Sequence, residues 1–135
     1  MVYLTRKEQF NAAHRLYNPT WDDARNEEVF GKCSNPNWHG HNYNIEVTIK
    51  GDPSPDTGFL FNTKDLSRII WEQALSKMDH KNINVEVDFM KDVLPSTENL
   101  VRGIWYQIEP HITGCKLHRI RLYETDKNFA DYYGE

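Results

Sequence analysis

The sequence predicts an α+β domain in which a four-stranded antiparallel sheet carries two helices on one face, in the order β-β-α-α-β-β. Three observations carry this expectation. "YNIEVTIK" alternates apolar and polar residues without a break, two later stretches repeat apolar residues at helical spacing, and two short apolar runs end the sequence. Strands grouped around consecutive helices put those helices on one side of an antiparallel sheet.

"TRKEQFNAAH", residues 5–14, reads as the first strand. Residues 17–38 are rich in Asn, Asp, Pro and Gly and are expected to form a long loop; loops of that length in a small domain tend to be functional or mobile. In the second strand Tyr43, Ile45, Val47 and Ile49 share one face, and Asn44, Glu46, Thr48 and Lys50 the other. "GDPSPDTG" supplies a turn. From Thr63 the period changes: Leu66, Ile69, Ile70 and Ala74 form the apolar stripe of a helix running through "KDLSRIIWEQALSKM". "DHKNINVEVDFMKDVLP" reads as irregular. After Pro95, Ser96 or Thr97 can cap a second helix, with Glu98 in the first turn where the helix dipole favours a carboxylate. Its buried stripe is Leu100, Val101, Ile104, Trp105 and Ile108, and Pro110 and Gly114 end it. "KLHRIRLYE" and "NFADYY" are the last two strands, joined by "TDKN". A sheet of this size has two exposed edges, which invites closure by association.

The 135 residues are expected to form a single domain, 1–135, large enough to bury a core without staples. Hydrophobic content of 39% and charged content of 27% fit a soluble globular protein. No apolar run approaches the roughly 18 residues a spanning helix needs, and "MVYLTRKEQF" has no leader-peptide core, so a cytoplasmic location and no membrane partner are expected. A net charge of −4 without a Lys/Arg stripe argues against nucleic-acid binding. Cys33 and Cys115 do not make a disulfide framework.

The chemistry gathers in "CSNPNWHGH", residues 33–41. In an extended segment His39 and His41 point to the same face, so both imidazoles can meet one ion, and Gly40 between them leaves the backbone room to lie close to it. His14 ends the first strand, and antiparallel pairing of the first two strands delivers it to the same place. Three protein ligands with one open position are the signature of catalytic rather than structural zinc. The bland alternative is three unrelated histidines. Cys33 has three readings: a fourth ligand that closes the site, a thiolate outside the ligand shell serving as base or nucleophile, or a small buried hydrophobe. Cys115, at the start of an apolar strand, fits the last of these.

Asp79 and His80 form either a proton-transfer pair, the carboxylate raising the imidazole's basicity, or an ordinary capping dipeptide after the first helix. Glu124 shares its strand face with Ile120 and Leu122, so it needs a partner or an exit to solvent. A ligand edge with paired N–H donors, such as an amino-pyrimidinone, would serve. Arg15, Lys32 and Lys127 are candidate cations for an anionic substrate.

"FNAAH", "CSNPNWHGHNY", "DHKN", "PSTEN" and "LYET" occur in this order and at characteristic separations. H-G-H alone is a weak signal; the five together resemble the 6-pyruvoyl-tetrahydropterin synthase family, from about Phe10 to Glu135. The resemblance implies a tunnelling fold (T-fold) whose subunits join sheets into a barrel, and a homohexamer of two trimers with active sites at subunit interfaces. It implies Zn2+ on His14, His39 and His41, Cys33 as the proton-abstracting base, and Asp79 with His80 as a second proton-transfer unit. It further implies that Glu124 anchors the pterin ring and that Thr97 and Glu98 line the same pocket. The implied reaction converts 7,8-dihydroneopterin triphosphate to 6-pyruvoyl-tetrahydropterin with loss of triphosphate.

Relatives in queuosine biosynthesis make 6-carboxy-5,6,7,8-tetrahydropterin on the same scaffold, releasing acetaldehyde. Those relatives tend to have three residues between the Cys and H-G-H, whereas here Ser34, Asn35, Pro36, Asn37 and Trp38 make five, as in the pyruvoyl type. Trp38 departs from the small residue the family often has beside the first histidine of that motif. A noncatalytic module with a structural zinc that includes Cys33 is the reading from a different functional class.

Overall fold

The computed structural model describes residues 1–135. Its central feature is the pairing of β1 (Val2–His14) with β2 (His39–Gly51), antiparallel from Val2 opposite Gly51 to His14 opposite His39. Phe10, Tyr43, Ile45, Val47 and Ile49 are buried on one face of this ladder, as the alternation requires. Thr48 lies on the other face yet is also buried, its hydroxyl 2.8 Å from that of Thr5.

Both long strands exceed the sequence expectation, β1 by starting at Val2 and β2 by starting at His39. β4 (Lys116–Tyr123) pairs antiparallel with β2, and β5 (Phe129–Tyr132) with β4. The sheet has five strands rather than four: the two-residue β3 (Lys81–Asn82) lies parallel to Ala12 and Ala13, giving the order β3-β1-β2-β4-β5. Because β3 covers so little of β1, the edge from Val2 to Asn11 has no strand beside it.

The two expected helices are α2 (Thr63–Gln73) and α4 (Thr97–Ile108). Asn62 caps α2 through Lys64 N–H, and Ser96 caps α4 through Asn99 N–H. α2 stops at Gln73, five residues before the sequence expectation, and continues as a 3₁₀ turn over Leu75–Lys77. The stripes Leu66, Ile69, Ile70 and Leu100, Val101, Ile104, Trp105, Ile108 are buried and join the sheet's inner face in one cluster of 23 residues. Gly103 allows the close approach of α4 to the segment before it, since a Cβ there would lie 2.8 Å from Met90 Sδ.

Two stretches expected to lack regular structure contain some. Within 17–38 lie α1 (Asp23–Phe30), capped by Asp22, and a 3₁₀ turn over Gly31–Ser34. The only buried residue of α1 is Asn26, whose amide bonds the carbonyls of Asn18, Trp21 and Asp22. The other stretch, 79–95, holds β3, the four-residue α3 (Ile83–Glu86) and a 3₁₀ turn at Asp88–Met90.

Candidate metal centre

The inner row of the β1–β2 ladder ends in imidazoles. Phe10 lies opposite Tyr43, Ala12 opposite His41, and His14 opposite His39. The stacked rings of Phe10 and Tyr43, 4.9 Å apart, form the floor. Above them the ring centroids of His14, His39 and His41 are separated by 4.5, 4.9 and 5.0 Å. One ring nitrogen from each lies within 4.8 Å of the other two.

The donor set fits a cation. His14 Nε2, His41 Nε2 and both nitrogens of His39 are buried without a hydrogen-bond partner, a cost of about 1–3 kcal/mol apiece if nothing binds them. His14 is fully buried, and its Nδ1 donates to the carbonyl oxygen of Pro95 at 2.8 Å. That contact leaves the Nε2 lone pair free to face the other rings, the usual arrangement behind a metal-bound histidine. Burial lowers the pKa of His14 despite the opposing Pro95 contact, and burial followed by the nearby His41 lowers that of His39. Both rings are therefore held neutral, as metal ligands must be.

Gly40 does less than the sequence suggested. It lies between the two histidines on the opposite face of the strand, and a Cβ there would meet only the Ala12 carbonyl, at an ordinary 3.6 Å. Its small size is not what opens space for an ion.

Cys33 is half-buried, unpaired and not part of the imidazole cluster. It sits in the 3₁₀ turn after α1, its carbonyl accepting from Leu16 N–H at 2.8 Å. Glu124, by contrast, reaches the cluster: its carboxylate oxygens lie 3.9 Å from His14 Nε2 and 3.8 Å from His41 Nε2. Its partner within the protein is Thr97, whose hydroxyl donates to Oε2 at 2.8 Å. Glu98, on the first turn of α4, is exposed.

Asp79 and His80 form a pair, Oδ2 to Nδ1, at 2.9 Å. The backbone N–H of Asn11 donates to Asp79 Oδ1 at 2.9 Å and is the main reason its carboxyl titrates low; the His80 contact adds to the effect. His80 adopts a left-handed backbone, φ 60°, and its side chain is 76% exposed. The pair is thus strapped to β1 three residues before His14 and opens outward.

Arg15 and Lys32 line a cavity of about 640 Å³ together with Asp23 and Glu27, while Lys127 is exposed in the β4–β5 turn. The Pro95 carbonyl and the Asn11 amide have no counterpart among the sequence expectations. Both contribute backbone atoms, which leave no residue-type signature.

A mainly antiparallel sheet with helices on one face, and three imidazoles at its end that could hold a metal ion, define the class as an α+β protein with a candidate metal site. The profile of the family described as 6-pyruvoyl tetrahydropterin synthase matches residues 3–135, and the chain belongs to that family. It is 43% identical over 133 residues to the 6-pyruvoyl tetrahydrobiopterin synthase of Poecilia reticulata, covering 98% of this chain and 90% of that protein. The solved structure of Caenorhabditis elegans 6-pyruvoyl tetrahydropterin synthase superimposes with a TM-score of 0.92 at 32% identity, covering 99% of this chain and 96% of that one. Similarity to the 6-carboxy-5,6,7,8-tetrahydropterin synthase of Bacillus subtilis is narrower, 32% identity over 88 residues, or 63% of this chain and 56% of that protein.

Proposed function

We propose that the protein is a zinc-dependent 6-pyruvoyl-tetrahydropterin synthase, a carbon–oxygen lyase that takes 7,8-dihydroneopterin triphosphate to 6-pyruvoyl-tetrahydropterin and triphosphate. The observation that carries this reading is the set of unpartnered imidazole nitrogens on His14, His39 and His41 in a member of this family. Zinc held there supplies Lewis acidity that makes the C–H bonds of the substrate's hydroxylated arm more acidic.

The protein's own groups do the rest. Cys33 takes the proton as thiolate. His80, paired with Asp79, moves the second proton between carbons of that arm. Glu124, held by Thr97, accepts the paired N–H donors of the pterin, and Glu98 lines the same pocket. The outward opening of the Asp79–His80 pair and the unpaired edge of β1 support a site shared between subunits in a homohexamer. The two unpaired cysteines support a reducing, cytoplasmic setting. Residues 1–135 are taken as one catalytic domain.

The second reading, 6-carboxy-tetrahydropterin synthase, is favoured by the Bacillus relative but not by the five residues between Cys33 and His39. Incubating the protein with 7,8-dihydroneopterin triphosphate and analysing products by mass spectrometry separates the two. The 6-pyruvoyl compound is expected; acetaldehyde with the 6-carboxy compound would replace the first reading by the second. A Cys33→Ala variant is expected to keep its zinc and lose turnover, whereas a structural site that includes the thiol would lose the metal.

A further inference from the structure

We propose that Arg15 is a positioning residue for Cys33, itself locked in place by Asn84; this rests on the reading of Cys33 as the base. β1 ends at His14, and the residue that follows joins two segments from distant parts of the sequence. On one side, β3 stops at Asn82, and the side-chain amide of Asn84 takes over the pairing. The Arg15 N–H donates to Asn84 Oδ1 at 2.9 Å, and Asn84 Nδ2 donates to the Arg15 carbonyl at 2.9 Å. The amide is held in turn, because the backbone N–H of Asn84 donates to Asn82 Oδ1 at 3.0 Å. Both main-chain polar groups of Arg15 are therefore fixed by a single side chain.

On the other side, Arg15 Nε donates to the Ser34 carbonyl at 2.7 Å, and the next residue, Leu16, donates its N–H to the Cys33 carbonyl at 2.8 Å. The remaining hydrogen bonds of this turn are local, such as Ser34 Oγ to Gly31 O at 2.8 Å and Asn35 N to Lys32 O at 3.2 Å. One tie alone would let the turn pivot about the Leu16–Cys33 bond; the second, from Arg15, fixes its rotation. The guanidinium carbon lies over the Tyr17 ring, 3.9 Å from its centroid, so a planar group with a defined direction holds the turn. The thiol is thereby set by the residue adjoining the ligand His14, although Cys33 and His14 are 19 residues apart in sequence.

The test uses the full-length, zinc-loaded protein. Arg15→Gln, Arg15→Lys and Asn84→Ala are compared with the parent for kcat, KM and melting temperature. The rate of Cys33 labelling by iodoacetamide is also measured relative to Cys115 in the same molecules, by mass spectrometry of the peptides. Arg15→Gln is expected to lower kcat by about 10- to 100-fold, the range that misplacing a reacting group by an ångström can reach, with little change in KM. It is also expected to change the Cys33-to-Cys115 labelling ratio severalfold. Arg15→Lys, which can still donate to Ser34 but lacks the planar group over Tyr17, is expected to restore both only in part; Asn84→Ala shifts both in the same direction as Arg15→Gln and remains informative if Arg15→Gln does not fold.

A raised KM with kcat and the labelling ratio unchanged would overturn the proposal in favour of Arg15 as a cation for the triphosphate. A melting-temperature loss with the ratio unchanged would overturn it in favour of a purely structural role. If Cys33→Ala retains turnover, the assignment of the base fails, and the labelling ratio alone still decides whether Arg15 orients the thiol.

Discussion

The ring of His14 donates through Nδ1 to the carbonyl oxygen of Pro95 across 2.8 Å, joining the last residue of β1 to the segment that introduces α4. The contact fixes the tautomer and aims Nε2 at His39 and His41. Removing the ring removes this tie and, on the proposed reading, a metal ligand. His14→Ala is expected to lower zinc affinity by more than the ~10–100-fold typical of losing an outer hydrogen-bonding partner, as read by metal content after dialysis against a competing chelator. Metal content equal to that of the parent would exclude His14 as a ligand.

The metal-free protein should lose stability as the solution is acidified. Burial holds His14 and His39 below the ordinary imidazole value of 6.5. Between 6.5 and the lower folded values the unfolded protein binds more protons than the folded one, so stability rises with pH there. The contribution is complete above 6.5 and is lost as pH falls through the folded values. Melting temperatures of chelator-treated protein from pH 5 to 7.5 are expected to climb, and a His39→Gln variant should climb less steeply.

Glu8 gives a second pH-dependent contribution, at lower pH. Its carboxylate accepts from Arg6 Nε at 2.8 Å, Ser67 Oγ at 2.6 Å and Trp71 Nε1 at 3.2 Å, and so ties β1 to α2. Burial opposes the charge, but these donors outweigh it and hold the carboxyl below its ordinary value of 4.5. Its stabilisation is present above that value and is lost as pH falls through the lower folded one. Glu8→Ala should cost about 1–3 kcal/mol through the stranded donors and flatten the acid limb of a chemical-denaturation series. An unchanged acid limb would contradict this.

Trp38, next to His39, has a φ of 68°. For a bulky residue this backbone region costs roughly 1–3 kcal/mol. Trp38→Gly is expected to melt higher than Trp38→Ala, because both lose the indole and glycine alone loses the strain. Equal melting temperatures would mean that the backbone relaxes when the indole is removed.

Much of this architecture is legible in the sequence because it rests on long-range patterns of side-chain type. The alternation from Tyr43 to Ile49 identifies the central strand, and its inward parity, carried back through His41 and His39, places both imidazoles on the face they occupy. α1 is hidden because its single buried residue, Asn26, satisfies backbone carbonyls and carries no apolar period. β3 is too short to show a period at all. Glu124 finds in Thr97 the partner its position demands, but its approach to two of the imidazoles depends on the β2–β4 register, which is set by pairing across the sheet.

The one-to-one register of β1 against β2 has a consequence for how the protein can vary in length. Successive residues of a strand face alternate sides, so inserting or deleting one residue between Phe10 and His14 would turn the His14 imidazole outward while leaving the aromatic floor in place. Only changes in steps of two keep it pointing inward, and even these would move it past His39. Length variation is free to accumulate in the surface turn over residues 52–58, where no such parity applies.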